Sequence, residues 1–202
     1  MKLLHLDSSI LGDHSVSRQL TREVVHAIHL AEPAVDLTYR DLTTGLGLQV
    51  DGVLMAARGL PPEQRSPAQQ ALAAQADAVM AEFLAADLLV IGAPMYNFSI
   101  PSQLKTWIDL VSVAGVTFRY GPDGHEGLAT GKRAVIVATA GGQHAGQPSG
   151  QAHVDYLRHL LSFLGIRDIR VITAEGLSMG PAVREPALLS IFWKGFCDMI
   201  ST

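Results

Sequence analysis

Cysteine is almost absent from this sequence, since Cys197 is the only one among 202 residues. A single cysteine excludes an internal disulfide and is typical of a reducing compartment, so we expect a cytoplasmic location. Long hydrophobic runs are also missing. The best of them, such as 134–138, fall far short of the roughly 20 apolar residues that cross a membrane, so we expect no membrane partner. Residues 1–7 lack the features of a signal peptide and are expected to form a first strand.

Charge is scarce as well. Charged residues make up 17% of the chain, the net charge is −4, and no basic stripe is visible. Nucleic acid is therefore not an expected partner. What the chain does have is 48% hydrophobic residues. Over this length, that content suits one core and a single domain spanning 1–202.

Apolar strand patterns alternate with helical patterns along the chain. Such alternation predicts an α/β fold with a parallel sheet and helices on both faces. Two of the strand patterns are almost entirely apolar, as strands covered on both faces must be. The strands are expected at 2–6, 34–39, 88–91, 132–138 and 167–174, and the main helices at 17–30, 67–86, 102–113, up to 164, and 183–200. Residues 115–124 read as a short extended arm with a turn.

The carboxyl ends of parallel strands meet at one edge of a sheet, where ligands of open α/β folds bind. After the first strand, hydroxyls of Ser9, Ser15 and Ser17 precede a helix. Free amides and the helix dipole make this an anion site, although ordinary N-capping by Ser15 or Ser17 explains the same residues. The loop is neither a Walker sequence nor Gly-x-Gly-x-x-Gly, so a monophosphate fits better than a triphosphate or a Rossmann dinucleotide.

Two further strands also end in unusual loops. The third is followed by 94–98, with an aromatic, thioether and amide set, and the fourth by 139–144, with paired glycines. The glycines allow close approach of a ligand to the backbone. Taken singly, each loop is also explained as an apolar plug or a plain glycine turn. Together the three loops suit a flavin mononucleotide (FMN) in the flavodoxin-like arrangement, a three-layer sandwich with strand order 2-1-3-4-5.

From end to end the chain resembles the FMN-dependent NADH azoreductases of the flavodoxin-like quinone reductase group. The most specific motifs are Pro-Met-Tyr-Asn-Phe at 94–98 and Gly-Val-Thr-Phe-Arg-Tyr at 115–120. Others are Leu-Asp-Ser-Ser-Ile-Leu at 6–11, Ser-x-Ser at 15–17, Tyr-Arg-Asp-Leu at 39–42, Gln-Leu-Lys at 103–105, Gly-Leu-x-x-Gly-Lys at 127–132, Phe-Leu-Gly-Ile at 163–166 and Ala-Glu-Gly at 174–176.

The resemblance implies a bound FMN. Val16 and the pair Thr139-Ala140 depart from residues common in the family, and backbone contacts are expected to survive both changes. By position, the implied FMN contacts are Ser9, Ser15, Val16, Ser17, Met95, Tyr96, Asn97, Phe98, Thr139, Ala140, Gly141 and Gly142.

The resemblance also implies a ping-pong oxidoreductase. NADH or NADPH gives hydride to FMN, and a quinone or an aromatic azo compound then takes the electrons, the azo bond being cleaved to two amines. No catalytic residue is required beyond the flavin, although Asn97 or His144 could contribute polar contacts. Tyr120 and Phe163 are implied to line the substrate slot across a homodimer interface. Arg58 is implied to influence nicotinamide cofactor choice, but it also reads as an ordinary solvated arginine.

Other readings remain open. An electron carrier of the flavodoxin type would have no small-molecule substrate, although such carriers are usually more acidic. A flavin-free scaffold with the same fold is a third possibility. No metal site is expected, because the pairs His26 with His29 and His153 with His159 lack carboxylate or cysteine partners. The sequence leaves open whether the natural acceptor is a quinone or an azo compound.

Overall fold

The computed structural model describes residues 1–44, 47–122, 124–149 and 152–188. Among these residues, five parallel strands form one sheet. The strands are β1 (Lys2–Asp7), β2 (Asp36–Asp41), β3 (Leu88–Pro94), β6 (Arg133–Thr139) and β7 (Asp168–Ala174). Their order across the sheet is β2-β1-β3-β6-β7. Between them in sequence lie β4 (Phe118–Gly121) and β5 (Gly124–Gly127), which pair as a separate antiparallel hairpin.

Helices connect the parallel strands. They are α1 (Val16–Ala31), α2 (Gly52–Gly59), α3 (Pro67–Ala85), α4 (Ser102–Val111) and α5 (Ala152–Phe163), and residues 181–188 are also helical. In the part of the chain that the structure describes, no helix is long and apolar enough to cross a membrane.

Apolar side chains fill both faces of the sheet. Leu20 and Val24 of α1 pack with Leu3, Val90 and Val137 on one face. On the other face, Phe83 of α3, Trp107 of α4 and Leu157 of α5 pack with sheet residues that include Leu89 and Ile136. The fold is therefore the predicted α/β sheet covered on both sides, and the near-continuous apolar strands are those buried between two layers.

Two features differ from the expectations. The arm expected at 115–124 is a hairpin whose second strand reaches Gly127, so the described residues contain two strands besides the five of the parallel sheet, for which the order 2-1-3-4-5 was predicted. Strand β2 lies at 36–41 rather than 34–39. It extends past its apolar pattern because its backbone pairs with β1 as far as Asp7↔Asp41. The side chains of these last two residues form ion pairs, Arg40 with Glu82 of α3 and Asp41 with Arg18 of α1.

The hairpin packs closely on the turn that follows α5. The amide of Ala129 donates to the carbonyl of Leu164, and a Cβ at Gly127 would overlap the backbone of Leu164 and Gly165. Glycine is therefore needed at 127 for the two backbones to touch. Of the helix expected at 183–200, residues 181–188 are helical; the remainder, including Cys197, lies outside the described residues.

Candidate functional site

The first loop brings buried hydroxyls to the start of α1. Ser9, Ser15 and Ser17 are each about 1% exposed. The Oγ atoms of Ser15 and Ser17 lie 3.0 Å apart, and Ser15 Oγ accepts from the amide of Arg18, so Ser15 does cap the helix. Within the described residues, the amides of Val16 and Ser17 have no acceptor. Capping and anion binding are thus compatible here, because two amides at the positive end of the helix dipole stay free.

Arg18 fixes this loop from beneath. Its Nε and Nη2 donate to the carbonyl of Ser9 at 3.1 and 2.8 Å, and its guanidinium makes a two-pronged ion pair with Asp41 at 2.7 and 2.8 Å. The hydrogen bond to Asp41 raises the pKa of Arg18 against the effect of burial. Burial alone would raise the pKa of Asp41, but hydrogen bonds from Arg18 and Thr43 lower it. The pair stays charged and holds Ser9 in place.

The loop after β3 contains a tight, strained turn. Tyr96 and Ser99 exchange two backbone hydrogen bonds of 2.9 and 3.0 Å. Between them, Asn97 has φ 50° and Phe98 has φ 64°. Asparagine tolerates this left-handed region, whereas phenylalanine does so rarely and at a cost of roughly 1–3 kcal/mol. The side chain of Phe98 is 61% exposed, and the amides of Asn97 and Phe98 have no acceptor in the described chain.

Hydrogen bonds join this turn to both neighbouring loops. The hydroxyl of Tyr96 lies 3.1 Å from Ser9 Oγ and accepts from the amide of Ile10 at 3.2 Å. The amide of Met95 donates to the carbonyl of Thr139 at 2.7 Å, at the end of β6. The three loops predicted from the sequence therefore meet at the carboxyl edge of the sheet, which we call the loop edge. It consists of the loops that follow β1, β3 and β6.

The α-carbons of the glycine pair after β6 lie against side chains of the protein itself. A Cβ on Gly141 would lie 2.7 Å from Ser178 Oγ, and one on Gly142 would lie 3.2 Å from Nε2 of His144. The protein's own side chains thus occupy the space beside both α-carbons. Both carbonyls are also used, since Gly141 accepts from the amide of Ser178 and Gly142 from that of Gly176. The two amides, in contrast, have no acceptor among the described residues.

These loops fit an FMN. The buried hydroxyls and the free amides at the start of α1 suit a phosphate. The amides at 97, 98, 141 and 142 can donate to the carbonyl oxygens of a flat ring, and Met95 and Phe98 can flank its faces. Val16 and Ala140 contribute no polar side chain, and Ala140 is 4% exposed, so any contact from Ala140 comes through its backbone. Its amide is already donated to Ala174.

The residues predicted to bind substrate lie elsewhere in the same chain. Phe163 ends α5 and Tyr120 lies in the hairpin, and both contact Phe118, at ring centroid distances of 4.8 and 5.8 Å. Because α5 runs antiparallel to the strands, its last residue lies at the edge where the strands begin, which we call the amino edge of the sheet. At about 3.3 Å per residue, this edge is roughly 20 Å from the loop edge. Arg58 of α2 is half-buried and donates to the carbonyl of Leu110, in the last turn of α4.

Sequence reasoning gave no role to two residues that shape the loop edge, Arg18 and Glu175. Glu175 accepts from the amides of His144 and Ala145 at 2.9 and 2.8 Å. The burial of Arg18 could have been predicted, because it lies three residues before Thr21 and seven before Val25, on the buried face of α1. Asp41, at the end of β2, was a possible partner for its charge. In the described ranges, no group of three or more histidine, cysteine or carboxylate side chains could hold a metal ion.

Comparisons with known proteins agree with this geometry. A family model described as flavodoxin-like fold matches residues 1–190. The chain is 52% identical over 188 residues to FMN-dependent NADH:quinone oxidoreductase 1 of Pseudomonas putida. It is 54% identical over 188 residues to FMN-dependent NADH:quinone oxidoreductase 2 of Pseudomonas aeruginosa. Each alignment covers 93% of this chain and 93% of the relative.

Solved structures share the fold. An azoreductase from Bacillus anthracis superposes with a TM-score of 0.88 at 23% identity, covering all of both chains. An FMN-dependent NADH-azoreductase from the same species, in complex with FMN, superposes with a TM-score of 0.86 at 20% identity and the same coverage.

Proposed function

The chain belongs to the flavodoxin-like family of FMN-dependent NADH:quinone oxidoreductases, and on this premise we propose that it binds FMN and reduces quinones with electrons from NADH. The proposal rests on the set of hydrogen-bonding groups that the structure brings together at the loop edge. Three strand ends present buried hydroxyls and free amides around the exposed Phe98, an arrangement that suits a phosphate at one end and a flat ring at the other.

Each loop has its own part in holding FMN. The amides of Val16 and Ser17, with the hydroxyls of Ser9, Ser15 and Ser17, hold the phosphate. Met95, Tyr96, Asn97 and Phe98 form one wall of the ring site. Thr139, Ala140, Gly141 and Gly142 form the other, and the amides of the two glycines stabilise negative charge on the ring. FMN, when bound, accepts hydride from NADH and passes two electrons to the acceptor.

The experiment is a visible spectrum of the purified protein, with FMN added where it is lost during purification. Flavin absorption that bleaches on adding NADH and returns on adding a quinone supports the proposal. A protein that refuses added FMN, as a flavin-free scaffold would, contradicts it. Turnover with no partner reductase distinguishes an enzyme from a flavodoxin-type electron carrier, which would need one.

The site map is tested by paired glycine variants. Gly141→Ala is expected to displace Ser178, whose Oγ would lie 2.7 Å from the new Cβ, and so to weaken FMN binding. Gly121→Ala in the hairpin is the control, since its Cβ would meet nothing closer than 3.9 Å. Equal FMN affinity in both variants, by flavin fluorescence titration, would count against the map.

The working form in this proposal is a two-fold homodimer of single-domain subunits, each 1–202. Val116 and Tyr120 are 42% and 74% exposed. Tyr120 and Phe163 lie at the amino edge of the sheet, opposite the three loops that are proposed to hold FMN. A second copy can bring these aromatic rings to the loop edge of the first, which one chain cannot do. A solution mass of one chain, with full turnover, would refute the dimer.

Acceptors in this proposal are quinones and aromatic azo compounds, since both are flat enough to stack on a flavin. Arg58 takes part in nicotinamide cofactor choice. Substitution of Arg58 tests this through the ratio of kcat/KM for NADH and NADPH. The cytoplasmic location rests on the single cysteine of the sequence.

A further inference from the structure

Strand β2 lies at one side of the parallel sheet, and its outer backbone is open. The amides of Asp36 and Leu42 donate to carbonyls of β1, so the backbone of the even-numbered residues between them also faces β1. The backbone groups of Leu37, Tyr39 and Asp41 therefore point away from the sheet. Among the residues that the structure describes, these outward groups have no hydrogen-bond partner.

The face of β2 that lies towards α1 presents apolar surface beside this open backbone. Leu37 is 46% exposed and Tyr39 is 51% exposed. The ring of Tyr39 is held in place, because its hydroxyl donates to Asp7 at 3.1 Å and accepts from Arg18 at 3.3 Å. An exposed ring that is already fixed loses little freedom when a partner covers it. Open strand edges pair readily with another strand, and β2 contains no proline to prevent this.

The opposite face of β2, towards α3, presents unused charge. Asp36 is exposed, and in the described chain its carboxylate has no partner. Arg40 donates from Nε and Nη2 to Glu82 at 2.6 and 2.5 Å, and its Nη1 has no acceptor within the described ranges. The same face therefore carries a free carboxylate and, four residues later, a free cationic donor.

These features are self-complementary. We propose that the β2 strands of two copies of this chain pair antiparallel about a two-fold axis at Thr38, which joins two five-stranded sheets into one. In this register, Leu37 of each copy exchanges backbone hydrogen bonds with Tyr39 of the other, as the outward direction of both residues requires. Asp36 of each copy lies opposite Arg40 of the other, and the two Thr38 residues lie opposite each other.

Other symmetric registers match the side chains less well. A pair centred on Tyr39 places Leu37 opposite Asp41, and a pair centred on Arg40 places two arginines opposite each other. A pair centred on Leu37 leaves Tyr39 and Arg40 beyond the first residue of the partner strand. Opposite charges stabilise a cross-strand pair and like charges destabilise it, so the register about Thr38 is favoured. This self-match favours a second copy of the chain over an unrelated extended segment.

Disulfide trapping tests the register directly. In a Cys197→Ser background, Thr38→Cys places two thiols across the axis with α-carbons about 4.5 Å apart, a separation that a disulfide can span. Mild oxidation with oxidised glutathione should link most of the protein into pairs of chains on a non-reducing gel. Asp36→Cys is the matched control, because its two copies would lie about 14 Å apart and should stay unlinked. An unlinked Thr38→Cys protein, or equal linking at both positions, overturns the proposal.

Charge reversal tests the pairing without a covalent link. Asp36→Lys puts a cation opposite Arg40 of the second copy, so light scattering should give a mass at most half that of wild type. Asp77→Lys, at an exposed carboxylate of α3, makes the same change in charge and should keep the wild-type mass. The masses are compared over a series of protein concentrations, because one strand pair is a small interface. Equal masses for wild type and Asp36→Lys at every concentration overturn the proposal.

The pairing and the proposed function can fail independently, since neither measurement needs FMN or turnover. Asp36 begins β2, whereas the proposed FMN site lies where the strands end. Asp36→Lys should therefore bind FMN and be bleached by NADH as wild type is, although its mass is lower. Turnover that falls in step with the mass would place the β2 edge in the catalytic dimer and would contradict a separate contact.

Discussion

The two edges of the sheet differ in how far their polar groups are buried and paired within one chain. At the loop edge, polar groups are buried, charged groups are paired, and a phenylalanine is held in a left-handed conformation. At the amino edge, the hairpin and the end of α5 present stacked and tilted aromatic rings, and the ion pair of Arg119 with Glu126 is more than half exposed. The first edge is preorganised within one chain. The second is a surface, which gains a role in the proposed reaction only against a second copy.

The largest expected effect separates the buried from the exposed ion pair. Arg18→Met leaves the carboxylate of Asp41 without its cationic partner and the carbonyl of Ser9 without its donors, so we expect a loss of about 3–5 kcal/mol in the free energy of unfolding. Arg119→Met, in the hairpin pair, is the matched control and should cost less than about 1 kcal/mol. Urea titrations measure both.

FMN binding by the same two variants gives a second test of the difference between the buried and the exposed ion pair. Arg18→Met should also bind FMN more weakly, because Ser9 loses its anchor, whereas Arg119→Met should not. Equal stabilities for the two variants would mean that the loop edge is no more preorganised than the hairpin.

The sequence indicated the sheet well because its strands are apolar runs of the right length. A strand that lacks such an apolar run could not be predicted in this way. Residues 124–127 read Gly-His-Glu-Gly, which has no strand propensity, so the second strand of the hairpin was not predicted. This strand is held by pairing with β4 and by the close contact at Gly165, both of which are tertiary effects.

The site was predictable to a different degree. Hydroxyls before a helix, and loops at strand ends, follow from local chemistry. The contacts of Arg18 and Glu175 span 23 and 31 residues of sequence and depend on register. The glycine pair shows a further limit, because the sequence cannot tell whether a ligand or a side chain fills the space that a glycine leaves.

A smaller effect is expected at His153, beneath the loop edge. Its ring lies near the backbone of Ala93 without hydrogen-bond geometry, and both ring nitrogens lack partners in the described chain. His153→Leu removes two unsatisfied buried groups, so we expect the variant to be more stable by about 1–3 kcal/mol at pH 7.

This difference should depend on pH. Burial lowers the pKa of His153, so the folded state binds the proton less well than the unfolded chain. The stability of the wild type should therefore fall as the pH drops below about 6.5, and the advantage of His153→Leu should widen towards pH 5. His159→Leu, at an exposed site, is the control. A constant difference across this range would contradict a buried neutral imidazole.

At the amino edge, Tyr120→Ala should leave stability within about 1 kcal/mol of wild type, since the ring is 74% exposed. If a second copy carries this ring to the flavin loops, kcat/KM for a quinone should fall about tenfold, or ~1.4 kcal/mol, with FMN affinity unchanged. Leu30→Ala, another exposed apolar residue, should have no effect on turnover. Unchanged kinetics in Tyr120→Ala would show that the aromatic rings of the hairpin take no part in the reaction.

The smallest effect is expected where the loop edge stores strain. Phe98→Gly relieves a left-handed phenylalanine, worth roughly 1–3 kcal/mol, against an entropic cost of about 0.5–1 kcal/mol for glycine, so the variant should be more stable by about 1 kcal/mol. It should also bind FMN less tightly, because the ring that flanks the site is gone. Ser99→Gly, in the same turn but outside the left-handed region, should lose stability instead. Were both variants destabilised alike in urea titrations, the turn would hold no strain and Phe98 would be positioned by packing alone.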